Sequence, residues 1–184
     1  ITPLHLTQGY LTLANGGGAS SSAVLTGTGG LTLLSGTQTL TGASTYTGTT
    51  TITGGILNLN GTTASSTLNV GTGAALNVNA PSSASTITVG PNSVLTTGSA
   101  NLLADNVEVT LSGTTATAGR LVLGGNELIR KLNSASNTAG RVDLGVHTLS
   151  VSEGGTFNGL VTGTGILAFT GGNITLTEAT VINS

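Results

Sequence analysis

The first 104 residues of this chain contain no Asp, Glu, Lys or Arg. All ten charged residues lie between Asp105 and Glu178 and make up 5% of the sequence, where soluble domains usually carry about a quarter. Acid–base catalysis, phosphate binding and metal chemistry all need ionisable groups, and most of this chain has almost none. Cysteine is absent, which excludes disulfide staples and thiolate chemistry and leaves the redox compartment open. Trp and Met are absent too, and two Phe and two Tyr are the only large aromatics. Four basic residues and a net charge of -2 cannot build the electrostatic footprint that nucleic acid or an anionic membrane requires. No apolar run approaches the ~18 residues that span a bilayer, so no membrane insertion by this segment is expected. There is no basic-then-apolar leader and the first residue is Ile1, so the chain reads as a processed or excised segment.

What the chain does have is Gly, Thr, Ser, Asn and aliphatic residues. Its mean hydropathy of +0.34 with low net charge is the opposite of the disordered combination. Burial must therefore come from Leu, Val, Ile and Ala, with about 1.5–3 kcal/mol for each branched side chain fully buried. Apolar residues alternate with Thr, Ser or Asn in short runs such as Ile56 to Asn60 and Ile174 to Leu176, broken by Gly. Period-two alternation between turn residues is the strand signal, and helical spacing is nearly absent. Asn126 to Leu132 (NELIRKL) has room for one helical turn, but it reads better as a strand or loop insertion.

The strands repeat. Thr67–Gly71 matches Thr86–Gly90 and Ala75–Val78 matches Val94–Thr97, both at an offset of 19, as do Leu57–Asn60 and Leu76–Asn79. A longer echo joins Leu25–Gly29 to Val161–Gly165. Such a period predicts an all-β fold, a single-stranded parallel β-helix or β-solenoid of about nine coils with roughly 19–20 residues each. At ~4.8 Å per coil the rod would be on the order of 45 Å long. One continuous solenoid is expected over 1–184, with residues 101–141 as less regular, charge-bearing insertion coils. An antiparallel sandwich would show more bulky aromatics and no 19-residue echo.

The run from Thr26 to Gly61, TGTGGLTLLSGTQTLTGASTYTGTTTITGGILNLNG, resembles the passenger-associated transport repeat of autotransporters, also described as the autotransporter-associated β-strand repeat. The likeness runs through Gly29-Gly30-Leu31-Thr32-Leu33, Thr45-Tyr46-Thr47-Gly48 and Gly54-Gly55-Ile56-Leu57. A second stretch, 142–167, looks like another coil type of the same passengers. The resemblance implies a right-handed β-helix secreted to the outside or surface of a Gram-negative-type bacterium, and it transfers no catalytic residue. The chain departs from that family by ending Ile182-Asn183-Ser184 without a translocating barrel. Either the barrel was cut away or this is a relative that works without one.

The few ionisable groups suggest little chemistry. Asp143 and His147 flank a Gly-Val turn with Glu153 nearby, but a divalent site wants three or four ligands. Glu108, Glu127, Asp143 and Glu153 share no offset of 19, so no row of carboxylates is expected. Arg130-Lys131 reads as a solvated pair. The Gly-Thr-Gly runs lack a following helix and Lys, so they read as coil corners rather than phosphate loops. No catalytic, cofactor-binding or metal-binding residue is expected, and no cofactor.

The expected function is therefore a non-enzymatic extracellular structural role. The solenoid would be a surface stalk or adhesin, or the subunit of a head-to-tail filament in a biofilm or cell-surface fibre. Its first expected partner is a second copy of itself, with cell-surface or host components as further candidates. Open solenoid ends template further strands unless capped. Ile1, Leu4 and Leu6 at one end and Val181 and Ile182 at the other are the expected assembly residues. The alternative is a ligand-binding face for ice or glycan, suggested by Thr-x-Thr triplets at Thr26, Thr37, Thr45 and Thr86.

Overall fold

The structure, a computed structural model describing residues 2–135, 138–176 and 182–183, is a three-sided parallel β-solenoid. Among the described residues there is no helix, and the strands stack in about nine coils. One side carries Leu4–Leu6, Leu25–Gly27, the bridging residues Ser44, Thr63 and Ser82, and then Glu127–Ile129, Thr148–Val151 and Ile166–Phe169. A second side runs from Tyr10 through Thr50–Ile52, Thr67–Val70, Thr86–Val89, Glu108–Leu111 and Lys131–Ser134. Gly154–Phe157 and Asn173–Leu176 continue it. The third side holds Ile56–Leu59, Ala75–Val78, Val94–Thr97, Gly119–Val122, Gly140–Asp143, Gly159–Thr162 and Ile182–Asn183. Every registered pair is parallel, which excludes a sandwich.

Alternation in the sequence becomes inside and outside in the coil. Leu57, Leu76, Leu95, Leu121, Val142 and Val161 stand in register down the third side and all are fully buried. On the second side Leu31, Leu68, Ile87, Val109 and Leu132 do the same, with Thr50 in the same inward row. Thr50 is tolerated there because the Tyr46 phenol fills the adjacent corner. Tyr46 Oη lies 2.6 Å from Thr50 Oγ1, which donates to Ser65 Oγ at 3.0 Å. Burial raises the Tyr46 pKa, against hydrogen bonds from Thr50, Thr63 and Ser65 that lower it. A buried hydroxyl needs such partners to avoid a penalty of a few kcal/mol.

The corner between the second and third sides explains one class of Gly. In two coils the strand simply bends through this corner, as in Gly30–Leu40. Gly36 and Gly55 stack there with φ of 78° and 82°, and a Cβ on Gly55 would run into the Gly36 carbonyl oxygen. In the next two coils the left-handed residue comes one position earlier, at Gly73 (φ 74°) and Asn92 (φ 55°), the latter a residue type that tolerates it.

The offsets read from sequence are the observed registers. Thr67 pairs with Thr86, Ala75 with Val94 and Leu57 with Leu76. The Asn126–Leu132 stretch forms two short strands, Glu127–Ile129 and Lys131–Ser134, on either side of a corner at Arg130. The longer echo has a different meaning. Leu25 lies on the first side and Val161 on the third, so the two runs do not stack as equivalents. Both are strands that run into a positive-φ Gly, Gly27 (99°) and Gly163 (108°), and the shared motif marks a strand-to-corner step used at two different corners. Beyond Thr97 the coil lengthens: Val94 pairs with Arg120, 26 residues on, and Glu108 with Lys131, 23 on.

Candidate functional site

Two kinds of polar surface arise from this register. The first is a set of outward ladders that starts in the uncharged coils and, on the second side, continues into the charged ones. On the second side Thr12, Thr32, Thr51, Asn69, Thr88, Thr110 and Asn133 stand one above another. On the third side the Asn77 amide donates to Asn58 Oδ1 at 2.7 Å, and Asn58 in turn donates to Thr39 Oγ1 at 3.1 Å. Asn79 donates to Asn60 at 2.8 Å, and Thr88 to Asn69 at 2.8 Å. Each amide offers a donor on one edge and an acceptor on the other, so identical residues link without conflict.

Charge in this row would behave differently. Asn58→Asp and Asn77→Asp should each be tolerated, but together they place two carboxylates in register. The double variant should lose about 1–4 kcal/mol beyond the sum of the singles. Urea midpoints at low and high salt check this, and the excess should shrink as salt rises.

The second polar surface is the charged region, where the lengthened coils bring together residues that no fixed spacing predicted. Arg130 donates to Glu108 at 3.1 Å and to Glu153 at 3.2 Å, and the Asn133 amide donates to Glu108 at 2.7 Å. Glu108 also pairs in register with Lys131, so opposite charges face each other. One like-charged pair does stack, Arg120 on Arg141. Asp143 resolves it, accepting from Arg120 Nε at 3.1 Å, from Arg141 Nε at 2.7 Å and from the Thr162 hydroxyl. Burial pushes the Asp143 pKa up, but the hydrogen bonds from Thr162, Arg120 and Arg141 and the Arg120 charge outweigh it and hold the group below its ordinary value.

Asp143→Asn would leave the two arginines repelling across one coil step. Both are well exposed, so solvent screens the effect. The expected loss is about 1 kcal/mol, smaller at high salt, read from thermal unfolding in two salt concentrations.

Glu127 is the exception to the rule that charges lie outside. It is 2% exposed on the first side, and its two carboxylate oxygens accept from the backbone N–H groups of Leu102 (3.0 Å) and Leu103 (3.2 Å). Burial raises its pKa, the two backbone donors lower it, and the charge on Asp105 adds to the rise. The carboxylate thus pins the inserted loop after Thr97 and lets Leu102 and Leu103 bury against the core. Nothing in the 19-residue pattern pointed to it, because its partners are backbone atoms.

The suspected Asp143–His147–Glu153 grouping does not assemble. Among the described residues Asp143 is held by Arg120, Arg141 and Thr162, and Glu153 by Arg130. No cluster of three metal-type ligands occurs among the described residues. Of the four Thr-x-Thr triplets, those at Thr26 and Thr45 adjoin in successive coils, the Thr45 and Thr47 N–H groups donating to the Leu25 and Gly27 carbonyls, while those at Thr37 and Thr86 fall on the third and second sides. They do not form one array. No helix among the described residues is long and apolar enough to cross a membrane. Of the expected end residues, Leu4 and Leu6 pair in the first coil with Leu25 and Gly27. Ile182 pairs with Val161 through its backbone, and Ile1 and Val181 lie outside the described residues.

Comparison with family models, with curated proteins and with solved structures finds no match to this chain.

Proposed function

We propose that the chain is a non-enzymatic structural solenoid of an extracellular or cell-surface assembly, serving as a stalk or as the subunit of a stacked filament. One observation carries this reading. The backbone hydrogen bonds run from coil to coil along the length of the rod, reinforced on the outside by Thr and Asn ladders. Pulling the rod apart between two coils would break a full turn of such bonds at once. The grouped charges are spent on one another rather than aimed at a vacant centre. The surface location follows the resemblance of 26–61 to autotransporter passenger repeats. Electron microscopy and small-angle scattering of the purified chain test the reading. Rods one coil wide, single or joined end to end, are the expected particles. Turnover of a polysaccharide or other substrate, abolished by Glu108→Gln or Glu153→Gln, would overturn it.

A second reading, a binding face for ice or an uncharged glycan, is favoured by the Thr/Asn column on the second side rather than by the triplets. Thr51→Lys with Thr88→Lys should then abolish thermal hysteresis or glycan retention while leaving the fold intact. If the unmodified chain shows neither activity, this reading is withdrawn.

A further inference from the structure

The two end coils are built to the same template. Among the described residues, Leu4–Leu6 pairs only with Leu25–Gly27 and the Tyr10–Ser21 strand only with Gly30–Leu40. At the other end Ile166–Phe169 pairs only with Thr148–Val151, and Asn173–Leu176 only with Gly154–Phe157. Among the described residues, each of these strands therefore has one hydrogen-bonding edge without a partner. Core-type side chains are left half covered there: Leu4 is 44% and Leu176 46% exposed, and Phe169 is 40% exposed. Leu6, Leu11, Leu13, Leu167 and Ile174 are only partly buried against the core.

The inward residues match in spacing as well as in kind. In the first coil they are Leu4 and Leu6 on the first side and Leu11 and Leu13 on the second, seven residues apart pair to pair. In the last coil they are Leu167 and Phe169, then Ile174 and Leu176, again seven apart. A single difference in residue number, 175 − 12 = 163, aligns both sides, with Leu167 over Leu4 and Leu176 over Leu13. The same difference carries Ile182 onto Ala19 and Asn183 onto Ser20, which are the in-register third-side positions. Outward positions match too: Thr175 meets Thr12 and Ala168 meets His5. Neither 4–21 nor 166–176 contains a charge, so no like charges meet across the joint.

We infer that the last coil of one copy stacks on the first coil of a second copy in this one register, on all three sides. The occupant of the open edges is thus another molecule of the same chain, joined by heterologous, non-closing contacts that propagate. This inference rests on the filament form of the proposed function and specifies its joint.

The absence of Cys makes a clean test. Thr12→Cys with Thr175→Cys places two outward sulfurs about one coil step apart across the joint, within disulfide reach. Mild oxidation should give a ladder of covalent multimers, whereas each single variant stops at a dimer or below. Tyr10→Cys with Thr175→Cys is two residues out of register, roughly 8 Å apart, and should give little. His5→Cys with Ala168→Cys repeats the test on another side, should the first pair disturb folding. Fibres in the microscope joined only by the out-of-register pair would overturn the register and leave the filament. Single rods with no ladder from either in-register pair would overturn both, and would assign the edges to a different partner or to further coils.

Discussion

Leu76→Ala should lower the stability of the rod by about 2–5 kcal/mol, measured from urea denaturation. Leu76 is fully buried between Leu57 and Leu95, its register partners above and below. Truncation removes apolar contact to both neighbours at once and leaves a cavity that β-strands held at fixed spacing cannot close. In a stacked array the damage also weakens the coupling between coils, so the transition should broaden as the two halves begin to unfold separately. Leu34→Ala is the control. Leu34 is among the exposed large hydrophobics, and the same change there should stay within about 0.5 kcal/mol. Equal losses at the two positions would contradict the inward ladder.

Glu127→Gln should cost about 1–3 kcal/mol, because one oxygen acceptor becomes an amide NH2 and a buried backbone N–H loses its partner. Hydrogen exchange should accelerate at Leu102 and Leu103, the two donors, before it changes elsewhere. Unchanged exchange at both would show that the carboxylate does not pin the loop. The pH dependence separates this group from Asp143. A carboxyl whose folded pKa is raised binds its proton more tightly folded than unfolded. The stability it contributes is full below its unfolded value, near the ordinary 4.5, and is lost as pH rises through the folded value. Asp143 has the opposite sign. Its contribution is full above the ordinary 3.8 and is lost as pH falls through its lowered folded value. Glu127→Gln should flatten the first slope and leave the second, and Asp143→Asn should do the reverse.

How much of this could be read beforehand depends on coil length. Where the coil stays near 19 residues, a column in space is a constant interval in the chain. The pairs Thr67–Thr86 and Leu57–Leu76 were therefore legible as both strand and register. The Tyr46–Thr50–Ser65 network was not, since it joins two sides through a corner at intervals of 4 and 15. The end-to-end match was invisible for a related reason. Apolar residues at both ends were plain, but their common spacing matters only once the strands are assigned to sides.

The sequence by itself determined the architecture: alternation fixes which residues face in, the period fixes parallel stacking, and the lack of charge in the first 104 residues fits a fold in which each residue sits over its counterpart. A charge repeated there would face its like. Only the tertiary structure decided which charges meet. Register steps of 26, 23 and 21 residues shift each strand by the length of the loops before it. Arg120 therefore lands on Arg141 with Asp143 beside them, and Glu127 turns inward to two backbone amides. Interval stops predicting neighbour where loop length varies, because hydrogen-bond register follows the strands and is indifferent to how many residues the connecting loop contains.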